Sequence, residues 1–236
     1  MEGWSEFTAA FVTFLASHVF PARPNIRNRL VAAMGERPYL ILYTLVSLLL
    51  LAWLIVAAGR APFVPVWDPA PWQAWVPLVA MLPACLLAAF AVGAANPLSL
   101  GGRRDAGFDP ARPGLAGITR HPLLWALALW AASHIVPNGN LAHIILFGAF
   151  MAFALAGGIV IDRRSRKRLG AREWRRLAAR TSFVPFGALV GGRWRPSRPN
   201  LSLPRLAVAI ILYAAFLTMH APIIGVSPLP ASMPLA

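Results

Sequence analysis

Four stretches of this 236-residue chain, residues 39–58, 74–95, 141–161 and 206–226, contain no Asp, Glu, Lys or Arg. At 1.5 Å of rise per residue, roughly 20 apolar residues cross the hydrocarbon core of a bilayer, so each stretch reads as a transmembrane helix. Two shorter apolar segments add to the set: residues 4–20, with Glu6 in the opening turn, and residues 121–137, which open on His121-Pro122. The expected fold is therefore all-α, a polytopic bundle of about six membrane helices forming a single domain over residues 1–236. Only 13% of the residues are charged and 58% are hydrophobic, against roughly 25% charged in ordinary soluble domains. That balance excludes disorder and a water-facing globule.

The 22 basic residues are set against 8 acids, for a formal charge of +14. A nucleic-acid binder would spread such charge over a polar face, whereas here it falls between apolar runs. The first connection holds Arg23, Arg27, Arg29 and Arg37, and the second holds Arg60 alone. The third holds Arg103, Arg104, Arg112 and Arg120, the fourth has no basic residue, and residues 162–204 carry twelve. Because cytoplasmic loops retain Lys and Arg, this alternation puts both termini outside and connections one, three and five inside. Glu2 and Glu6 stand where a cleaved signal peptide needs positive charge, so the first segment reads as a retained anchor. Residues 162–180 read as an interfacial helix continuing from the fifth span, with Trp174 and Leu177 on a basic surface that can meet anionic lipid.

Ionisable groups inside membrane spans are costly and mark functional positions. Here the inventory is five histidines: His18, His121, His134, His143 and His220. Imidazoles on two helices suffice to hold a b-type haem. A bare iron or zinc ion would want carboxylate or thiolate partners, and the single cysteine, Cys85, makes no redox pair or thiolate cluster. Depth along the spans groups His18 with His121 near the cytoplasmic side and His134 with His143 and His220 near the outer side. His121 and His134 are 13 residues apart, about 220° round a helix, so they do not share a face.

The segment Gly117-Ile118-Thr119-Arg120-His121-Pro122 offers a second chemistry. A cationic Arg, a His and a proline-initiated helix start favour an anion such as the carboxylate or phosphate of a soluble cofactor. The alternative is a helix start at the interface with a snorkelling Arg120.

Taken together, the motifs resemble the NnrU family of bacterial integral membrane proteins. The matching residues begin with Ser17-His18, Pro21-Ala22-Arg23-Pro24, Gly35-Glu36-Arg37-Pro38-Tyr39, Arg60-Ala61-Pro62 and Asn96-Pro97-Leu98-Ser99-Leu100-Gly101. They continue through Thr119-Arg120-His121-Pro122-Leu123-Leu124-Trp125, Ser133-His134, Asn138-Gly139, Asp162-Arg163-Arg164 and Thr181-Ser182-Phe183-Val184-Pro185-Phe186. The resemblance implies a multi-pass protein of the bacterial inner membrane with an accessory role in denitrification, the reduction of nitrite and nitric oxide, beside redox or denitrification partner proteins. The family is similar in turn to the plastid zeta-carotene isomerase, which uses haem b to isomerise a cis double bond in a carotenoid. That similarity implies His18 and His134 as the haem ligands, although they fall in different depth groups, and a cysteine proposed as an alternative ligand there is Ala131 here. A wider similarity to isoprenylcysteine and phospholipid methyltransferases implies Arg120 and His121 as binders of S-adenosylmethionine; the glutamate pair of those enzymes reads Asp162-Arg163.

Three classes stand at this point: a haem-b protein of nitrogen-oxide metabolism or lipid isomerisation, a methyltransferase, and a non-enzymatic membrane partner. No nucleic-acid partner is expected.

Overall fold

The computed structural model describes residues 2–21, 23–103, 107–196 and 202–230. Arg104 and Arg198, counted above among the loop charges, lie outside them. In chain order the helices are α1 (Glu2–Val19), α2 (Pro24–Met34), α3 (Glu36–Arg60), α4 (Trp75–Ala91), α5 (Leu115–Ile118), α6 (Pro122–Ile135), α7 (Leu141–Leu169), α8 (Ala171–Ala178), α9 (Gly187–Val190) and α10 (Leu203–Ile224). A 3₁₀ turn, Pro71–Ala74, leads into α4. No strand forms among the described residues, as the charge-free runs dictate.

Two compact units can be distinguished, one of residues 1–68 with 139–146 and one of residues 69–138 with 147–236. In the first, α1 lies along α3 and turns Phe7, Ala10 and Phe14 inward, while α3 buries Tyr39, Leu54, Ala57 and Ala58. In the second, α4 packs on α6 and α10 packs on α4. Tyr213 ties α10 to α4 by donating to the Leu78 carbonyl at 3.1 Å. Residues 92–103 fold back on themselves, with Gly93 N–H donating to the Gly101 carbonyl at 2.8 Å and Arg103 N–H to the Ala94 carbonyl at 2.7 Å.

Four helical stretches are long and apolar enough to cross a membrane: α3, Pro71–Ala91, α7 and α10. They carry large exposed apolar side chains, among them Leu40, Ile41, Leu45 and Leu49 on α3 and Ile210, Ile211 and Phe216 on α10. Such surface is unfavourable in water and matches lipid tails. The chain is therefore a helical membrane protein. The other two expected spans form helices that fall outside this set. α1 is 18 residues long and includes Glu2 and Glu6, and α6 has 14 residues, about 21 Å of rise. Only with α6 counted as a crossing do the arginine-rich connections share one face of the bilayer. A topology reporter fused after Arg180 is therefore expected to be active in the cytoplasm alone, and one fused after Pro230 outside alone. The opposite pattern would remove α6 from the spans.

Two expectations about residues 162–180 are corrected. The helix from the fifth span runs only to Leu169 and breaks at Gly170, whose φ of +79° is a conformation side chains resist, before α8 begins. Nor do Trp174 and Leu177 face lipid: Leu177 and Ala178 form a core with Leu98, and Phe108, Leu169 and Trp174 pack against it. The arginines of α8 are left on its outer side, because burying the apolar stripe of so short a helix is what holds it in place.

Candidate functional site

A network of polar groups converges at the start of α6. Pro122 takes the first helical position, where its missing N–H costs nothing, and this fixes Arg120 and His121 immediately before the helix. Both are buried, at 7% and 0% exposure. Arg120 Nη1 donates to Asp162 Oδ2, and its Nε donates to Thr181 Oγ1 at 2.9 Å. His121 Nε2 reaches Asp162 Oδ1 at 3.1 Å, and Ser99 Oγ lies 3.3 Å from His121 Nδ1. With Nε2–H donating to the carboxylate, the Nδ1 lone pair faces the Ser99 hydroxyl, which is also within 3.4 Å of the Leu100 carbonyl oxygen as a second acceptor. Burial lowers the Arg120 pKa, and the Asp162 charge opposes that shift. Pairing offsets a desolvation cost of several kcal/mol per ion, so the cluster adds little net stability yet is expensive to break.

The segment Thr181-Ser182-Phe183 closes over this cluster through its backbone. The Ser182 carbonyl accepts Arg120 N–H at 2.7 Å. The Phe183 carbonyl accepts Thr119 Oγ1 at 3.0 Å and Trp125 Nε1 at 2.8 Å. Asn96 Nδ2 donates to the Arg120 carbonyl at 3.0 Å from the opposite side. The Trp174 ring meets the Arg120 guanidinium at 5.0 Å and that of Arg166 at 4.4 Å, both cation–π contacts. Beside the cluster an open hollow of about 520 Å³ is lined by residues 97–102 with Ile161 and Ser165.

Close packing here depends on Gly158, where a Cβ would come within 2.6 Å of the Phe183 ring and 3.2 Å of His121 Cδ2. Gly158→Ala is expected to destabilise the protein by roughly 1–3 kcal/mol through overpacking. The chain carries its own probe: Cys85 is its one cysteine and is buried, so a thiol-reactive dye reports unfolding. An unchanged melting curve would mean that Phe183 yields without cost.

The two histidines implied as haem ligands occur in matching local structures. In α1, Ser17 Oγ donates to the Phe14 carbonyl at 2.8 Å, and His18 Nδ1 lies 2.8 Å from the same oxygen. In α6, Ser133 Oγ donates to the Trp130 carbonyl at 2.9 Å, and His134 Nδ1 lies 2.7 Å from it. A carbonyl only accepts, so Nδ1 carries the proton in both rings and the lone pair sits on Nε2. Aromatic rings flank each: Phe14 at 4.2 Å and Tyr43 at 6.0 Å from His18, Trp130 at 5.7 Å and Phe147 at 5.3 Å from His134. His18 belongs to the first compact unit and His134 to the second. Within the second, the His220 ring stands 6.5 Å from His134, as their shared outer depth predicts. His143 lies in the first unit, its Nδ1 accepting from Asn140 Nδ2 at 3.3 Å. Among the described residues, no three His, Cys, Asp or Glu side chains converge on a point that would suit a bare metal ion.

Sequence reasoning missed Asp162 as the partner of both Arg120 and His121, and with it Ser99 and Thr181. The available clue was composition: Asp162 and Glu173 are the only acids in residues 162–204.

Fold and surface together define a polytopic helical membrane protein with a buried Arg–His–Asp cluster. The family model for NnrU protein matches residues 6–228, and the chain belongs to the NnrU family. It is also similar to the chloroplastic 15-cis-zeta-carotene isomerases of Zea mays and Arabidopsis thaliana, at 28% and 31% identity over 107 residues. That stretch covers 44% of this chain and 29% of each relative, so the match spans less than a third of their length. No solved structure matches the chain.

Proposed function

We propose that this NnrU-family protein is a haem-b-binding protein of the bacterial inner membrane that supports the reduction of nitrite and nitric oxide, with His18 and His134 as the axial ligands. The observation that carries this reading is the twin turn, aromatic-x-x-Ser-His, at residues 14–18 and 130–134. Each turn donates its Nδ1–H to a backbone carbonyl, the outer contact that orients a ligating imidazole and leaves Nε2 basic. The apolar aromatic surroundings of both rings suit a flat, hydrophobic macrocycle. Haem b, when bound, supplies an iron that transfers one electron or coordinates a small nitrogen oxide.

A second reading, cis–trans isomerisation of a carotenoid-like lipid on the same haem, is favoured by the similarity to the chloroplastic 15-cis-zeta-carotene isomerases. Ala131 stands against any mechanism that exchanges a histidine ligand for a cysteine. Methyl transfer from S-adenosylmethionine has less support, because the side chains that would hold that cofactor, Arg120 and His121, are buried on Asp162.

The deciding experiment is an absorption spectrum of the detergent-purified protein, oxidised and dithionite-reduced, with a pyridine haemochrome assay for stoichiometry. A near-stoichiometric b-type signal is expected. A colourless protein from haem-replete cells would overturn the haem reading and leave a non-enzymatic partner role or methyl transfer.

A further inference from the structure

We propose that Ser99 is a nucleophile, activated by His121 and oriented through Asp162, that cleaves carboxylic esters bearing an apolar acyl chain. Three features converge on this assignment. The hydrogen-bonded chain Ser99–His121–Asp162 has the order nucleophile, base and orienting carboxylate, with separations of 3.3 and 3.1 Å. The imidazole is used in the reverse sense from the serine proteases, Nδ1 serving as the base. Next, Ser99 lines the hollow of about 520 Å³ beside Leu98, Leu100 and Ile161, so an apolar chain has somewhere to lie, while His121 is sealed from water behind it. Finally, the loop is held in place by the Asn96 side chain, whose Oδ1 accepts Leu98 N–H at 3.1 Å. The N–H groups of Leu100 and Gly101, in the same wall, make no hydrogen bond among the described residues and are available to a developing oxyanion.

In the reaction, Ser99 Oγ bonds to the ester carbonyl carbon as its proton passes to His121 Nδ1. The tetrahedral centre then collapses, the ester C–O bond breaks, and the alcohol departs with that proton. Water attacks the acyl-serine, His121 takes its proton and returns it to Ser99 Oγ, and the carboxylic acid leaves.

The test uses the full-length protein in detergent with an alkyl fluorophosphonate probe and with p-nitrophenyl decanoate and acetate. One adduct on Ser99 and a preference for decanoate are expected. Ser99→Ala should abolish both labelling and turnover, with its Cys85 melting curve unchanged. His121→Gln should slow labelling on the order of 100-fold, as expected for loss of a general base. The proposal is overturned if the folded wild type forms no adduct, or if either variant is labelled as fast as wild type. Equal rates on decanoate and acetate would overturn the apolar-chain assignment. Ser99 labelling is read without reference to haem content, so this inference and the haem reading fail independently.

Discussion

Asp162→Ala is expected to lower the stability of the detergent-solubilised protein by roughly 3–5 kcal/mol, the cost of leaving a buried charge without its partner. Arg120 is 7% exposed, and the substitution strips its guanidinium of the carboxylate while also removing the acceptor for His121 Nε2–H. The Thr181 hydroxyl and the Trp174 ring remain, but neither supplies a negative charge. Followed by the accessibility of the Cys85 thiol, the midpoint should fall by roughly 10 °C at the usual 2–4 °C per kcal/mol for a chain of this size. The double variant Asp162→Leu with Arg120→Met should recover the part of the loss that comes from the bare guanidinium, while the buried His121 Nε2–H stays without its acceptor. A single variant that melts like wild type would show that water reaches Arg120 and screens it.

The other large effect is on haem content. On the proposed ligand assignment, His18→Ala and His134→Ala are each expected to lose the native b-type spectrum, since each removes one of the two axial ligands. Ser17→Ala and Ser133→Ala should retain it, because each histidine keeps its own bond to the carbonyl four residues back. His143→Ala should also retain it. Full haem occupancy in the His18 or His134 variant would exclude that residue as a ligand and return the question to the remaining histidines.

The helices were legible because membrane spans are encoded locally: a run without charge is both the cause of the helix and the visible mark of it. Pro122 at the start of α6 and the Pro137-Asn138-Gly139-Asn140 turn before α7 were readable on the same grounds. The bond from Arg120 to Asp162 was not, because the partners are 42 residues apart and no spacing rule links them. Trp174 and Leu177 misled for a related reason. An amphipathic helix declares that it has an apolar face, but whether lipid or protein covers that face is decided by Leu98 and Phe108, far away in sequence. The twin aromatic-x-x-Ser-His turns are visible in the sequence, but five residues are too few for the pattern to stand out until the bonds of both histidines are seen.

α10 buries Ala209 and little else, so its docking onto α4 contributes a small share of the stability of the whole. In a bilayer, where each hydrophobic helix is stable by itself and association is a separate step, such an element is free to arrive late. It follows every residue of the Arg–His–Asp cluster in chain order, and that cluster draws none of its bonds from it. Assembly of that cluster therefore need not wait for α10 to dock.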